Sequence, residues 1–140
     1  MCLTLESDYA VRIIGCLTAE NKRIDAKNIS ERTGVSLRFS LKILRKLVSA
    51  GLVRSYKGMQ GGYELAKSPS EITMLNVIES VEGDYYLNRC HEDDFVCTRG
   101  AKGCCCYQSV FNEISELVKN KLASCTFEDL LNTDKNTINK

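Results

Sequence analysis

Residues 25–65 read DAKNISERTGVSLRFSLKILRKLVSAGLVRSYKGMQGGYEL, and this stretch decides the fold. Asp25, Ala26, Lys27, Asn28 and Ile29 begin a short helix that runs to about Thr33. Gly34, Val35 and Ser36 then break the chain tightly, with Ser36 placed to cap a second helix over about residues 37–50. Two short helices joined by a glycine-containing turn make a helix-turn-helix unit, whose second helix enters the DNA major groove. In that helix Leu41, Leu44, Leu47 and Val48 form the expected buried stripe, which leaves Arg38, Lys42, Arg45 and Lys46 polar.

After Gly51 the alternation over residues 52–56 predicts a strand, residues 57–62 a loop, and residues 63–66 a returning strand. A helix-turn-helix followed by a glycine-rich hairpin is the order of a winged helix. The residues expected to meet DNA are Ser36, Arg38, Phe39, Lys42 and Arg45 on the second helix, with Arg54, Lys57 and Gln60 on the wing. The alternative use of the three glycines is to cradle a nucleotide phosphate. No strand-to-helix junction follows them and no Lys-Ser or Lys-Thr pair closes them, so that reading is set aside.

Charge agrees with a polyanionic partner. The net charge of +1 conceals two unlike halves. Residues 1–60 hold eleven Lys or Arg against five Asp or Glu, a balance of +6, whereas residues 61–140 hold eight against thirteen, a balance of −5. A basic first half suits double-stranded DNA. Charge alone would equally describe a solvated surface; the motif decides.

Upstream, Ala10, Val11, Ile13, Ile14 and Leu17 recur at helical period, with Ser7 or Asp8 placed as the cap. Downstream, Thr73 caps an expected helix over residues 74–81, which stops at Gly83. A last long helix is expected over residues 107–124, with Val110, Ile114, Leu117, Val118 and Leu122 on one stripe. Nothing large enough follows to cover that stripe, which points to a second copy of the chain. The tail from Asn132 is polar and reads as frayed. The fold class is therefore mainly α with a small β wing. Residues 1–84 are expected to form a DNA-binding domain, and residues 85–140 a cysteine-rich sensor loop and dimerisation helix.

The amino terminus lacks the blocks of a signal peptide and no apolar run approaches the length of a membrane span, so the expected location is the cytoplasm, with no membrane partner. There, clustered cysteines point to a metal centre or redox chemistry before structural disulfides. Cys90, Cys97, Cys104, Cys105 and Cys106, five of the eight cysteines, share one loop punctuated by Gly100 and Gly103. Thiolates favour iron-sulfur clusters and zinc, and the C-x2-C pairs usual in zinc sites are absent. Cys2 and Cys16 read as terminal and packing residues. A thiol oxidoreductase would need a C-x-x-C motif or a base; there is no such motif, and His91 alone offers no triad, so no enzyme is expected.

The segment GLVRSYKGMQGGYEL over residues 51–65, continued by Ile72-Thr73 and Val81-Glu82-Gly83, resembles the IscR/NsrR family of winged-helix iron-sulfur transcriptional regulators. The resemblance extends from Asp8-Tyr9-Ala10 to the Thr126–Leu130 segment. It implies a homodimeric transcription factor, a repressor in the first instance, whose long helices cross at the dimer interface. It also implies a [4Fe-4S] or [2Fe-2S] cluster held by three loop cysteines. Cys90 and Cys97 match the first two. For the third, counting back from Phe111 selects Cys105, while Cys104 would keep equal gaps and Cys106 remains an alternate. The fourth ligand of the cluster-homeostasis branch is a histidine, and Gln108 stands at that place here. In the nitric-oxide branch it is an aspartate of the partner subunit, and Asp8 stands at the matching place; an additional cysteine is the rival. The expected function is thus operator binding controlled by a cluster sensing nitric oxide, redox state or iron-sulfur status. The alternative is a cluster-free regulator using reversible cysteine oxidation.

Overall fold

The computed structural model of the chain describes residues 3–101 and 103–138, with side chains as far as residue 134. Cys2 and the last two residues of the expected tail lie outside them. The fold is mainly helical with a two-strand antiparallel wing, as the pattern implies.

Helix α1 (Leu5–Glu20) is the centre of the core, with Ala10, Ile13, Ile14 and Leu17 buried on one stripe. It starts a turn before the expected cap. The Thr4 hydroxyl accepts from the Ser7 N–H at 3.3 Å, while Ser7 is buried and its own hydroxyl donates to Glu82. Helices α2 (Ala26–Thr33) and α3 (Leu37–Ser49) follow the expected turn, with Gly34 in the left-handed conformation and Ser36 accepting from the Phe39 N–H. The stripe that α3 buries is rotated from the expected one: Ser40, Ile43, Leu44 and Leu47 face inward, and Leu41 and Val48 are only half-buried. Buried Ser40 is tolerated because its hydroxyl donates to the Val35 carbonyl at 3.3 Å.

Strands β1 (Val53–Tyr56) and β2 (Gly62–Leu65) pair with Val53 opposite Leu65 and Tyr56 opposite Gly62. Ile24, between α1 and α2, adds a third edge: its N–H donates to the Tyr63 carbonyl at 3.0 Å and its carbonyl accepts from the Tyr63 N–H at 2.8 Å. This docking explains the paired glycines. A Cβ at Gly62 would lie 2.6 Å from the Ile24 carbonyl oxygen, and one at Gly61 2.6 Å from the Tyr56 carbonyl oxygen.

Helix α4 (Met74–Glu82) is closed by a Thr73/Asn76 capping box and leads through the cysteine loop to α5 (Cys106–Ala123). The expected frayed tail is instead helix α6 (Phe127–Ile138), capped by Thr126, whose hydroxyl accepts from the Asp129 N–H at 3.2 Å. Phe127 is buried in the core, and its N–H donates to the Ile72 carbonyl at 3.0 Å. A short apolar run of Phe127, Leu130 and Leu131 amid polar residues gives little helical signal, so tertiary packing on α1 decides it.

The first turn of α1 is tied on two sides. Glu82 of α4 accepts from the Thr4 N–H at 3.2 Å, the Thr4 hydroxyl at 2.7 Å and the Ser7 hydroxyl. Burial pushes the Glu82 carboxyl up, but the hydrogen bonds from Ser7 and Thr4 outweigh it and leave it below the usual range. Glu6 binds two lysines of α3, Lys42 and Lys46, the latter at 2.6 Å. Those two ammonium groups, Lys42 foremost, hold the Glu6 carboxyl down to about 2.

Two outcomes follow from this packing. Gly62→Ala forces β2 away from Ile24 and should lower stability by about 1–3 kcal/mol, read by thermal or urea unfolding. Because the Glu6 pKa is depressed in the folded state, its contribution is complete above the ordinary value of 4.5 and is lost as pH falls toward 2. Across that window the melting temperature of the Glu6→Gln variant should therefore fall less than that of the parent.

Candidate functional site

The outward face of α3 carries Arg38, Lys42 and Arg45, all exposed, at successive turns of one helix face. Phe39 at its start is 41% exposed and meets Tyr9 of α1 edge-to-face, with ring centroids 5.9 Å apart. Among the described residues Arg38 and Arg45 have no carboxylate partner, whereas Lys42 is paired with Glu6. Two expected contacts are thus free to take an anion and one is already engaged.

The wing presents Arg54, Lys57 and Gln60 to solvent, with Met59 fully exposed at the tip. It is braced by Arg23, a residue the sequence reading passed over. The Arg23 guanidinium lies 3.4 Å from the centroid of the Tyr56 ring and donates to the Gln60 carbonyl at 3.3 Å. It also sits 3.9 Å from Glu64, which in turn accepts from the Tyr56 hydroxyl at 2.5 Å. A cation stacked on an aromatic ring stiffens the hairpin that carries Lys57. The sequence signal for this was present, in a basic residue one position before the β-forming Ile24, but only pairing of Ile24 with Tyr63 gives it meaning.

The cysteine loop begins where α4 ends at Gly83 and contains one short 3-10 turn, Arg89–His91. Its first part is fastened to α5. The Leu87 N–H donates to the Ser115 hydroxyl at 3.1 Å, and the His91 ring stacks on Tyr86 at 3.9 Å with its Nε2 2.5 Å from the Asn112 side-chain oxygen. His91 is thereby occupied beside Cys90 as a structural contact. The side-chain oxygen of Asn88, two residues before Cys90, is buried with no hydrogen-bond partner among the described residues, so the loop is incompletely satisfied within one chain.

Cys90, Cys97 and Cys105 are half-buried free thiols, and Cys104 and Cys106 are exposed ones. Backbone N–H groups of Ala101 and Arg99 donate to Cys97, with the Arg99 charge adding to them, and hold its thiol below the ordinary value. Arg99 also reaches Cys105, with Nη1 3.8 Å from the sulfur, and lies over the Tyr107 ring at 4.9 Å. Beside Cys97 this arginine favours thiolate over thiol, and it was not singled out by the sequence reading. Cys105 precedes the first turn of α5. A cavity of about 410 Å³ opens between Cys104, Cys105, Cys106, Gln108 and Asn112. Asp8 is engaged by Arg12 at 2.7 Å. Among the described residues no three Cys, His, Asp or Glu side chains converge on one point within a single chain. The donor chemistry suits an iron-sulfur cluster; the loop does not gather the donors in advance.

Among the described residues, no helix is long and apolar enough to cross a membrane. Residues 3–133 match the Rrf2 family, described as an iron-dependent transcriptional regulator. The HTH-type transcriptional regulator IscR of Photorhabdus laumondii is 30% identical over 142 residues, covering 96% of this chain and 82% of the relative. Among solved structures, T. potens IscR aligns with a TM-score of 0.73 at 26% identity, covering 96% of this chain and 88% of the other. CymR, the global cysteine regulator of B. subtilis, aligns with a TM-score of 0.74 at 26% identity, covering 95% and 98%. With a helix-turn-helix, a braced wing and matches that run almost from end to end, this chain belongs to the Rrf2 family of DNA-binding transcriptional regulators, a family of regulators and not of enzymes.

Proposed function

We propose that this regulator works in the cytoplasm as a homodimer whose operator affinity is set by an iron-sulfur cluster on the cysteine loop, and that it acts as a repressor. The observation that carries the reading is the set of five free thiols between Cys90 and Cys106 on an Rrf2 chain, with Cys97 held toward thiolate by backbone amides and Arg99, which also reaches Cys105. Cys90, Cys97 and Cys105 would hold the group, with Cys104 and Cys106 as alternates and Asp8 of the other subunit as the oxygen ligand. When bound, the cluster, [4Fe-4S] or [2Fe-2S], supplies a centre that reacts with nitric oxide or oxidants.

The rest is done by side chains of this chain. Residues 85–140 sense and pair, and residues 1–84 read. Val110, Phe111, Ile114 and Leu117 of α5 are exposed by 39–70% on one face, which supports pairing of two copies through that helix. Asp8 must leave Arg12 to serve the partner loop. Tyr9, one residue on, touches Phe39 at the start of α3, so a shift of the first turn of α1 is felt by the reading helix within one contact. Two reading helices then address half-sites about one helical turn, roughly 34 Å, apart. Arg38 and Arg45 meet base edges or phosphates, Ser36 fixes the helix start, and Arg54, Lys57 and Gln60 flank the groove.

A second reading keeps the same reader but lets the thiols themselves be oxidised, without a cluster. That no donor set converges among the described residues of one chain, and the likeness to the cysteine regulator CymR, favour it.

Protein prepared without oxygen should be coloured, with visible absorbance lost when Cys90, Cys97 and Cys105 are all replaced by Ala. A colourless parent that still changes its DNA affinity with thiol oxidants would instead establish the second reading. For the reader, Arg38→Gln with Arg45→Gln should reduce the slope of log K against log salt on a random-sequence duplex by about 2. An unchanged slope would place the DNA elsewhere.

A further inference from the structure

Of the three basic residues on the outward face of α3, Lys42 alone has a carboxylate partner among the described residues, Glu6. The Lys42 side chain is 53% exposed, so solvent and a duplex can reach it. Lys46 is placed differently: it is half-buried and is held by Glu6 at 2.6 Å and by the Val81 carbonyl at 3.1 Å. Lys46 therefore anchors the carboxylate from below, while Lys42 meets it at the surface. To a lysine ammonium, a carboxylate oxygen and a phosphate oxygen are alternative anionic acceptors of the same kind.

We propose that Glu6 is an internal stand-in for a DNA phosphate: it holds Lys42 while no duplex is present and yields it on binding. This rests on the assignment of α3 as the reading helix. Glu6 is a positioning residue, since it acts on DNA through Lys42. Its place in the chain gives it a second consequence. Glu6 lies in the first turn of α1, two residues from Asp8, and Glu82 fastens that turn to α4 through Thr4 and Ser7. Whatever moves the turn changes how firmly Lys42 is held, and by linkage a duplex that takes Lys42 loosens the turn.

The test uses the full chain, a short random-sequence duplex and amine acetylation read by mass spectrometry, with Lys67 as internal reference. Glu6→Gln should tighten binding several-fold at about 0.1 M salt while leaving the slope of log K against log salt unchanged, because Lys42 meets a phosphate in both complexes. It should also speed acetylation of Lys42 several-fold relative to Lys67. Glu6→Asp keeps the net charge but shortens the reach; it should speed Lys42 acetylation as well, which bulk charge would not do. Unchanged Lys42 acetylation in both variants overturns the proposal. If Lys42→Gln in the Glu6→Gln background fails to flatten the slope, the reading-helix assignment itself is wrong. If it flattens the slope while Glu6→Gln alone never tightened binding, only the stand-in fails.

Discussion

Everything in this molecule leans on the burial of one face of α1. Ala10, Ile13 and Ile14 are fully withdrawn from water and Leu17 nearly so. Against that stripe pack α2, α3, α4, α6 and β2. Each fully buried Ile or Leu contributes about 1.5–3 kcal/mol of transfer free energy, so α1 is the element no other can replace. Because one rigid rod touches α2, α3, α4 and β2, its two ends are held at a set spacing, and what happens at its first turn is transmitted rather than absorbed.

That first turn is where polar chemistry is concentrated. Thr4, Glu6, Ser7, Asp8 and Tyr9 face three different partners within little more than one turn of helix: Glu82 on α4, the lysines and Phe39 of α3, and Arg12 on α1 itself. Exposed ion pairs of this sort contribute little to stability. Their value is geometric, since they fix α3 against the first turn of α1. The cysteine loop contrasts with this: it leaves from the same end of α4 as Glu82, carries an unmet buried acceptor at Asn88, and depends on α5 for its fastening. A loop with unmet donors and acceptors is the part of the fold with the most to gain from a bound group or a second chain.

The winged helix was legible from local chemistry alone. Ser36 and Thr73 cap the helices they were expected to cap, Asp25 caps the helix it was expected to begin, and Gly34 takes the left-handed turn. These are signals that act within four residues, so sequence order carries them completely. The clustering of cysteines and the basic first half were equally plain, because composition survives any folding.

Other features had no local cause. Which side of α3 is buried depends on where α1 lies, so Ile43 replaced Leu41 in the stripe. Gly61 and Gly62 read as loop residues, but their hydrogens are required because carbonyl oxygens of Tyr56 and Ile24 come within 2.6 Å of where a Cβ would stand. Helix α6 exists because Phe127 finds the core, not because its residues favour a helix. Likewise Glu6, Arg23 and Arg99 are ordinary charges in the sequence. Only the approach of α3 and of the wing, distant along the chain, gives Glu6 and Arg23 their partners, and only the folding of the loop brings Arg99 to Cys105. Capping, turn chemistry and composition are properties of short segments and are written in them; the choice of buried face and of charge partner belongs to the packed chain.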